Sequence, residues 1–207
     1  MARRARACTG CHGEQGRAAA DGYYPRIAGK PAGYLHEQLL AFRDGRRRYA
    51  LMTELLEPLS DGFLRDLAEH FAGLDLPYPP PLPAPADPTA QRRAEQLVRQ
   101  GDASRRLPAC GACHGLALTG VQPAVPSLLG LPRDYLNAQL GAWRSGTRQA
   151  RAPDCMADIA RRLAPTDVAA LSAWLSARPV PVPAKAAATL PQAMPLRCGS
   201  ASVVVQP

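Results

Sequence analysis

Long apolar runs are missing from this chain of 207 residues. No segment reaches the roughly 20 residues that cross a bilayer as a helix, so no membrane-spanning segment is expected. Aromatic residues make up only 5% of the chain, so the polypeptide can supply only a small core. No Ser/His/Asp, paired-carboxylate or phosphate-loop constellation is present, which leaves the common hydrolase and nucleotide-binding classes without support. Acidic residues are in deficit, 17 against 25 basic ones, for a formal charge of +8.

What is there is a doubled motif. Cys8-Thr9-Gly10-Cys11-His12 and Cys110-Gly111-Ala112-Cys113-His114 are both C-x-x-C-H, each followed by Gly, at an offset of 102. This is the attachment pattern of c-type haem: two thiols reach the two vinyl groups of one porphyrin and the adjacent imidazole falls under the iron. A redox dithiol or half of a zinc site is the plainer reading of C-x-x-C. A zinc ribbon would carry a second cysteine pair about 15 to 20 residues on, and neither motif has one. The expected cofactors are two covalently bound haem c, on Cys8 and Cys11 with His12, and on Cys110 and Cys113 with His114.

The repetition extends well beyond the motif. Pro25 to Gly29 recurs as Pro126 to Gly130, both P-x-hydrophobic-x-G. Tyr34-Leu35 and Gln38-Leu39 recur as Tyr135-Leu136 and Gln139-Leu140, and Phe42-Arg43-Asp44-Gly45 as Trp143-Arg144-Ser145-Gly146. Met52 and Leu59 match Met156 and Leu163, so the offset drifts only from 101 to 104. Each half reads as one haem domain.

That register also singles out the sixth ligands. Met1 starts the chain and Met194 lies in a proline-flanked tail, leaving Met52 for the first haem and Met156 for the second. A thioether is a soft neutral ligand that favours ferrous iron. His36 and His70 have no histidine counterpart in the second half, where Asn137 and Trp174 stand. Cys155 is the stronger rival, because a thiolate there would favour chemistry over transfer, but its spacing copies Leu51 whereas that of Met156 copies Met52.

Two C-x-x-C-H units of about a hundred residues, each with P-x-hydrophobic-x-G and a late methionine, resemble the dihaem class I cytochromes c of the cytochrome c4 type over residues 8–178. The resemblance implies an all-α fold of two tandem class I cytochrome c domains, each wrapped around one covalently attached haem, and electron transfer as the activity. It also implies that Pro25 and Pro126 orient His12 and His114 through their backbone carbonyls.

Punctuation suggests the domain organisation. A first cytochrome domain is expected over 1–76, a Pro-rich linker over 77–88, a second domain over 89–178 and a Pro/Ala-rich tail over 179–207. Seven prolines from Pro77 to Pro88 forbid a helix and make the linker stiff. Thr89 reads as the cap of a helix running to Gln100, and Ser60 and Ala164-Pro165-Thr166-Asp167 precede the closing helix of each half. In the family the N-terminal helix crosses the closing helix. Only seven residues precede Cys8, so the first half is expected to lack that helix and to leave apolar surface on its closing helix bare. Met1 to Ala7 is basic with no apolar stretch after it, unlike a secretory signal. Haem attachment to C-x-x-C-H takes place outside the bacterial cytoplasm, so a periplasmic location and a lost upstream segment are the expectation.

Cys155 and Cys198 remain after the haem pairs: either they form a disulfide that pins the tail, or they are two unrelated thiols. The arginines gather in patches, Arg43 with Arg46 to Arg48 and Arg144 with Arg148 and Arg151 among them. Some are expected at haem propionates, and the rest suit redox partners with an acidic docking surface, such as a terminal oxidase, a quinol-oxidising complex or a periplasmic dehydrogenase. Nucleic acid is not an expected partner. The principal reading is a periplasmic electron carrier or the cytochrome subunit of a dehydrogenase. The alternative is a dihaem redox enzyme of peroxidase or thiosulfate-oxidising type, with one non-Met or open haem site.

Overall fold

The computed structural model describes residues 1–18, 23–84, 86–201, 203 and 205. Nine α-helices form among them: α1 Arg6–His12, α2 Ala32–Arg43, α3 Ala50–Leu56, α4 Asp61–Ala72, α5 Pro88–Arg99, α6 Gly111–His114, α7 Arg133–Ser145, α8 Cys155–Arg162 and α9 Pro165–Ser176. The described β-structure is confined to isolated bridges, so the class is all-α as expected. Helices α1 to α4 are answered in order by α6 to α9, and α5 has no counterpart among the described residues of the first half.

Each closing helix starts where its capping chemistry is. Ser60 accepts from the Phe63 N–H at 3.3 Å to cap α4, leaving Leu64, Leu67, Ala68 and Phe71 as one buried face. Leu67, Ala68 and Phe71 pack with Leu35 of α2, and Leu64 with Leu40 and Phe42 of the same helix. In the second half Pro165 opens α9 with its preset φ, and the Asp167 carboxylate accepts from the Ala164 N–H at 3.0 Å. Helix α5 is capped by Asp87, which accepts from the Thr89 N–H at 2.8 Å, with Pro88 at the first helical position. The cap therefore lies two residues before Thr89, because a carboxylate outside the helix reaches the free N–H groups. Ala94, Leu97 and Val98 of α5 are buried against Leu171, Trp174 and Leu175 of α9 in one continuous cluster. Burial of one such leucine stabilises by about 1.5–3 kcal/mol.

The described residues from Pro77 to Ala84 form no helix, and Pro85 lies outside the described residues. This segment is held from both sides. Arg26 donates to the carbonyls of Leu76 at 2.5 Å and Pro77 at 2.9 Å and lies 3.9 Å from the centroid of the Tyr78 ring. The Leu82 N–H donates to the Ser176 carbonyl at 3.0 Å. Gly130, at φ +68°, sits so close to the Tyr78 ring that a side chain would collide with it.

The expected bare surface on α4 is partly filled. Met1 to Ala5 curls into a turn that buries Ala5 to 1% exposure beside Leu67, Ala68 and Phe71. The Arg4 guanidinium lies 4.3 Å from the centroid of the Phe63 ring. A small residue and an arginine stem thus stand where α5 crosses α9 in the second half.

Candidate functional site

Both C-x-x-C-H motifs are short helices that end on their histidine, and in both the following glycine turns the chain away at positive φ, +75° for Gly13 and +80° for Gly115. The turn sends each chain back past its own imidazole. His12 Nδ1 lies 2.8 Å from the Pro25 carbonyl oxygen and His114 Nδ1 lies 2.8 Å from that of Pro126. A carbonyl only accepts, so each Nδ1 carries the proton and each Nε2 keeps its lone pair for a metal. Both rings are buried, and burial is the main reason that their basicity is lowered, the Pro carbonyl opposing it.

Each histidine opens on a cavity. The first, of about 560 Å³, is lined by Cys8, Cys11, His12, Pro25 and Met52; the second, of about 190 Å³, by Cys110, Cys113, His114, Pro126 and Met156. All ten site residues expected from the sequence therefore fall into two equivalent sets on two cavities. Three of the four thiols are held away from the activation that a redox dithiol requires. Burial raises Cys8 and Cys113 and pushes Cys110 up to about 11. Cys155 is bonded to Cys198 at 2.05 Å, so the disulfide forms and no free thiolate stands beside Met156. His36 lines neither cavity, and His70 packs on Phe71.

The two cavities meet across a polar seam whose members are repeat partners. Arg47 donates to Gln38 at 3.1 Å, Gln139 at 2.7 Å and the Tyr135 hydroxyl at 3.2 Å. Arg148 donates to Gln139 at 2.7 Å, Gln38 at 2.8 Å and the Tyr34 hydroxyl at 3.4 Å. An antiparallel bridge between Arg47 and Arg148 aligns the backbones, with Gln149 N–H to the Arg46 carbonyl at 2.7 Å. Lys30 lines both cavities. Its ammonium is pushed down to about 8, mainly by burial and further by Arg26 and Arg148, with Tyr135 opposing. Arg148 is lowered by burial and by the like charge of Arg47.

Among the described residues no carboxylate pairs with Lys30, Arg47 or Arg148. The Trp143 Nε1–H on the second cavity is buried without a partner. Buried cations and orphaned donors of this kind call for anions from outside the chain. The two carboxylates of a haem are of the right chemistry, and the free Nε2, the paired thiols and the apolar walls suit the rest of the group. The residues present fit two haems.

Arg43 and Arg144, taken from the sequence as candidates for propionates, have another task. Each donates to the chain just beyond the methionine helix, Arg43 to the Leu59 carbonyl at 3.0 Å and Arg144 to that of Leu163. Lys30 and the indole of Trp143 were missed, since neither has a matching partner in the other half. Gln38, Tyr34 and their partners had a signal. Polar residues that recur at an offset of 101 on both copies of one helix mark a shared polar role.

Residues 3–58 match the family model described as cytochrome c. The chain is 36% identical over 176 residues to a thiosulfate dehydrogenase electron acceptor from Thiomonas intermedia, covering 85% of this chain and 80% of that one. It is 34% identical over 174 residues to a cytochrome c4 from Pseudomonas aeruginosa, covering 83% and 84%. Its fold is similar to the crystal structure of reduced cytochrome c4 from Pseudomonas stutzeri, with a TM-score of 0.72 and 29% identity over 84% of this chain and 95% of that one. A thiosulfate dehydrogenase from Marichromatium purpuratum matches with a TM-score of 0.72 and 33% identity, but this chain spans only 36% of its length.

Proposed function

The chain belongs to the dihaem c-type cytochromes of the cytochrome c4 type, with two covalently bound haem c groups and electron transfer as its activity; from that footing we propose how its residues hold the haems and whom it serves. Cys8 and Cys11 form the thioethers of the first haem, Cys110 and Cys113 those of the second. His12 and His114 would bind the irons through Nε2, and Met52 and Met156 through their thioether sulfurs. The Pro25 and Pro126 carbonyls fix the ring orientation and tautomer of the two histidines. Lys30, Arg47, Arg148 and the Trp143 indole receive the propionates and lower the cost of carboxylates at the seam. Each haem supplies a one-electron ferric/ferrous couple when bound, and bonds neither form nor break as the electron passes.

Residues 1–76 and 89–178 are the two haem domains, with 77–88 as linker and 179–207 as tail. The electron donor is a periplasmic thiosulfate dehydrogenase, by analogy with the relative from Thiomonas intermedia. A terminal oxidase is the class of protein that would take the electrons onward. The exposed arginines favour partners with an acidic docking surface. The observation that carries this reading is the pair of Cys–Cys–His–Pro–Met sets on two cavities that share one arginine seam. The enzyme alternative rested on Cys155, whose sulfur is engaged by Cys198.

A redox titration of the haem-loaded protein, followed in the visible and near-red, tests the ligands. Two low-spin centres with a weak sulfur-to-iron band are expected. Met52→Ala should turn the first centre high-spin and Met156→Ala the second; a spectrum unchanged in either variant would overturn that ligand.

A further inference from the structure

The two cavities are copies in sequence, yet their mouths differ. Leu51 and Leu55 on α3 line the first cavity and are 58% and 40% exposed, and Tyr23, also on its lining, is 62% exposed. Their repeat partners on α8, Cys155 and Ile159, are only part-exposed. The difference comes from the C-terminal segment, which has no counterpart after the first closing helix because the chain there runs into the linker.

That segment crosses the second cavity from its histidine side to its methionine side. On the histidine side Ala187 pairs with the chain just before Pro126: its N–H donates to the Gly120 carbonyl at 2.9 Å and its carbonyl accepts from the Gln122 N–H at 2.8 Å. Leu190, 1% exposed, is buried on Val121 and Val125 with Met194, Ala201 and Val203 packed around it. On the methionine side the Gly199 N–H donates to the Pro153 carbonyl at 2.9 Å, and Cys198 is bonded to Cys155, the residue before Met156. In between, Met194, Leu196 and Ser200 form part of the cavity wall.

We infer that the C-terminal segment seals the second haem from partner proteins, so that the chain exchanges electrons with them through the mouth of the first cavity and the second haem is served from inside the molecule. The inference rests on the electron-transfer reading of both cavities. Transfer between proteins slows steeply as the edges of the two groups are held apart, and a covalently stapled layer of chain holds a partner off at one mouth but not at the other. The open mouth commits to one occupant, the electron-donating partner protein of the proposed function, which would meet it through an apolar contact. Its apolar centre would meet Tyr23, Leu51 and Leu55. Of the charged side chains lining this cavity, Arg26, Lys30 and Arg148 are buried, and Lys30, Arg47 and Arg148 face the propionates, so the exposed charges there are Arg48 and Asp134.

Solvent access can be measured without any partner. A neutral gadolinium chelate added to the ferric holoprotein should broaden the resolved haem-methyl NMR signals of the first haem several-fold more than those of the second. Leu190→Glu, which places a charge where the segment is buried, and separately Cys155→Ala/Cys198→Ala, which removes the staple, should raise the broadening of the second haem towards that of the first. Equal broadening of both haems in the unaltered protein, or a second haem still protected in both variants, overturns the seal. Docking is then read from stopped-flow reduction by thiosulfate dehydrogenase with thiosulfate. Leu55→Glu should slow it about tenfold by placing an unpaired charge in the apolar contact, and Val182→Glu, on an exposed part of the tail, should leave it unchanged. An unaffected Leu55→Glu overturns the port, as does a dimer of the unaltered protein that this substitution dissociates, since the occupant would then be a second copy. If the dehydrogenase reduces neither the protein nor any variant, the donor assignment fails while the relaxation result still decides the seal.

Discussion

Phe63 and Asp167 stand at the same place in the two halves, the third residue of the closing helix, and each is met by arginine. In the first half Arg4 lies over the Phe63 ring. In the second Arg93 of α5 and Arg105 reach the Asp167 carboxylate at 2.8 and 2.6 Å, and Asp167 is 4% exposed. A cation over a ring is worth about 0.5–1 kcal/mol at an exposed site. A buried carboxylate with two guanidinium partners and a helix-end N–H is a larger commitment, because removing it strands the arginines. One scaffold thus closes its first copy with a loose contact and its second with a network that also fastens an extra helix. The second half, as built, should be the more cooperative of the two.

The comparison is broken most directly at Asp167. Asp167→Ala should destabilise the second half by about 2–3 kcal/mol, combining a lost cap with a broken buried pair. Both tryptophans, Trp143 and Trp174, lie in that half, so the rise of tryptophan fluorescence as the haem ceases to quench it reports this unfolding alone. A midpoint shift shared equally by both haem signals would show that the halves unfold as one unit.

Acid sharpens the same contrast. Burial alone would raise the Asp167 carboxyl, but Arg93, the Ala164 N–H and Arg105 override it and hold it below the ordinary range. Asp102 is held down to about 2, by the Ser104 hydroxyl first and then by Arg93. Depressed values in the folded state mean that both carboxylates stabilise fully above the unfolded carboxylate range, near about pH 4. The stabilisation is lost as pH falls through the folded values. Tryptophan fluorescence should accordingly stay low at pH 4 and rise between there and about pH 2, and Asp167→Asn should move that rise upward.

Smaller effects are expected elsewhere. Phe63→Ala should cost the first half about 1–2 kcal/mol, from the lost cation–π contact and part of a ring's burial, and should leave the tryptophan transition where it is. Glu37→Gln cuts a pair between the halves at 2.9 Å whose arginine, Arg151, is half-exposed. A loss below about 1 kcal/mol is expected, visible as a slight separation of the two haem transitions.

Much of this was legible in the order of residues. The haem-binding pentapeptides and the two methionines could be proposed because each has a counterpart in the other half at an offset of 102 to 104, and the prolines because the family that the chain resembles carries a proline in that place. The helix around Thr89 was legible but its cap was not, since Asp87 and Thr89 are both good capping residues and only the backbone angles select one. Arg43 and Arg47 looked alike. One donates to the chain beyond α3 and the other to the facing half, and nothing in their spacing separates those fates.

By itself the sequence determined which cofactor the two sites take, because covalent haem attachment depends on residue types at short, fixed separations. The all-helical class followed from the resemblance to the cytochrome c4 family. Only the tertiary structure decided how the copies differ. Which cations gather at the seam, which closing helix gains a charged network and which mouth the tail covers all depend on residues far apart in the chain. Lys30 and Arg148, or Leu190 and Val121, carry no mark of their meeting until the helices have packed.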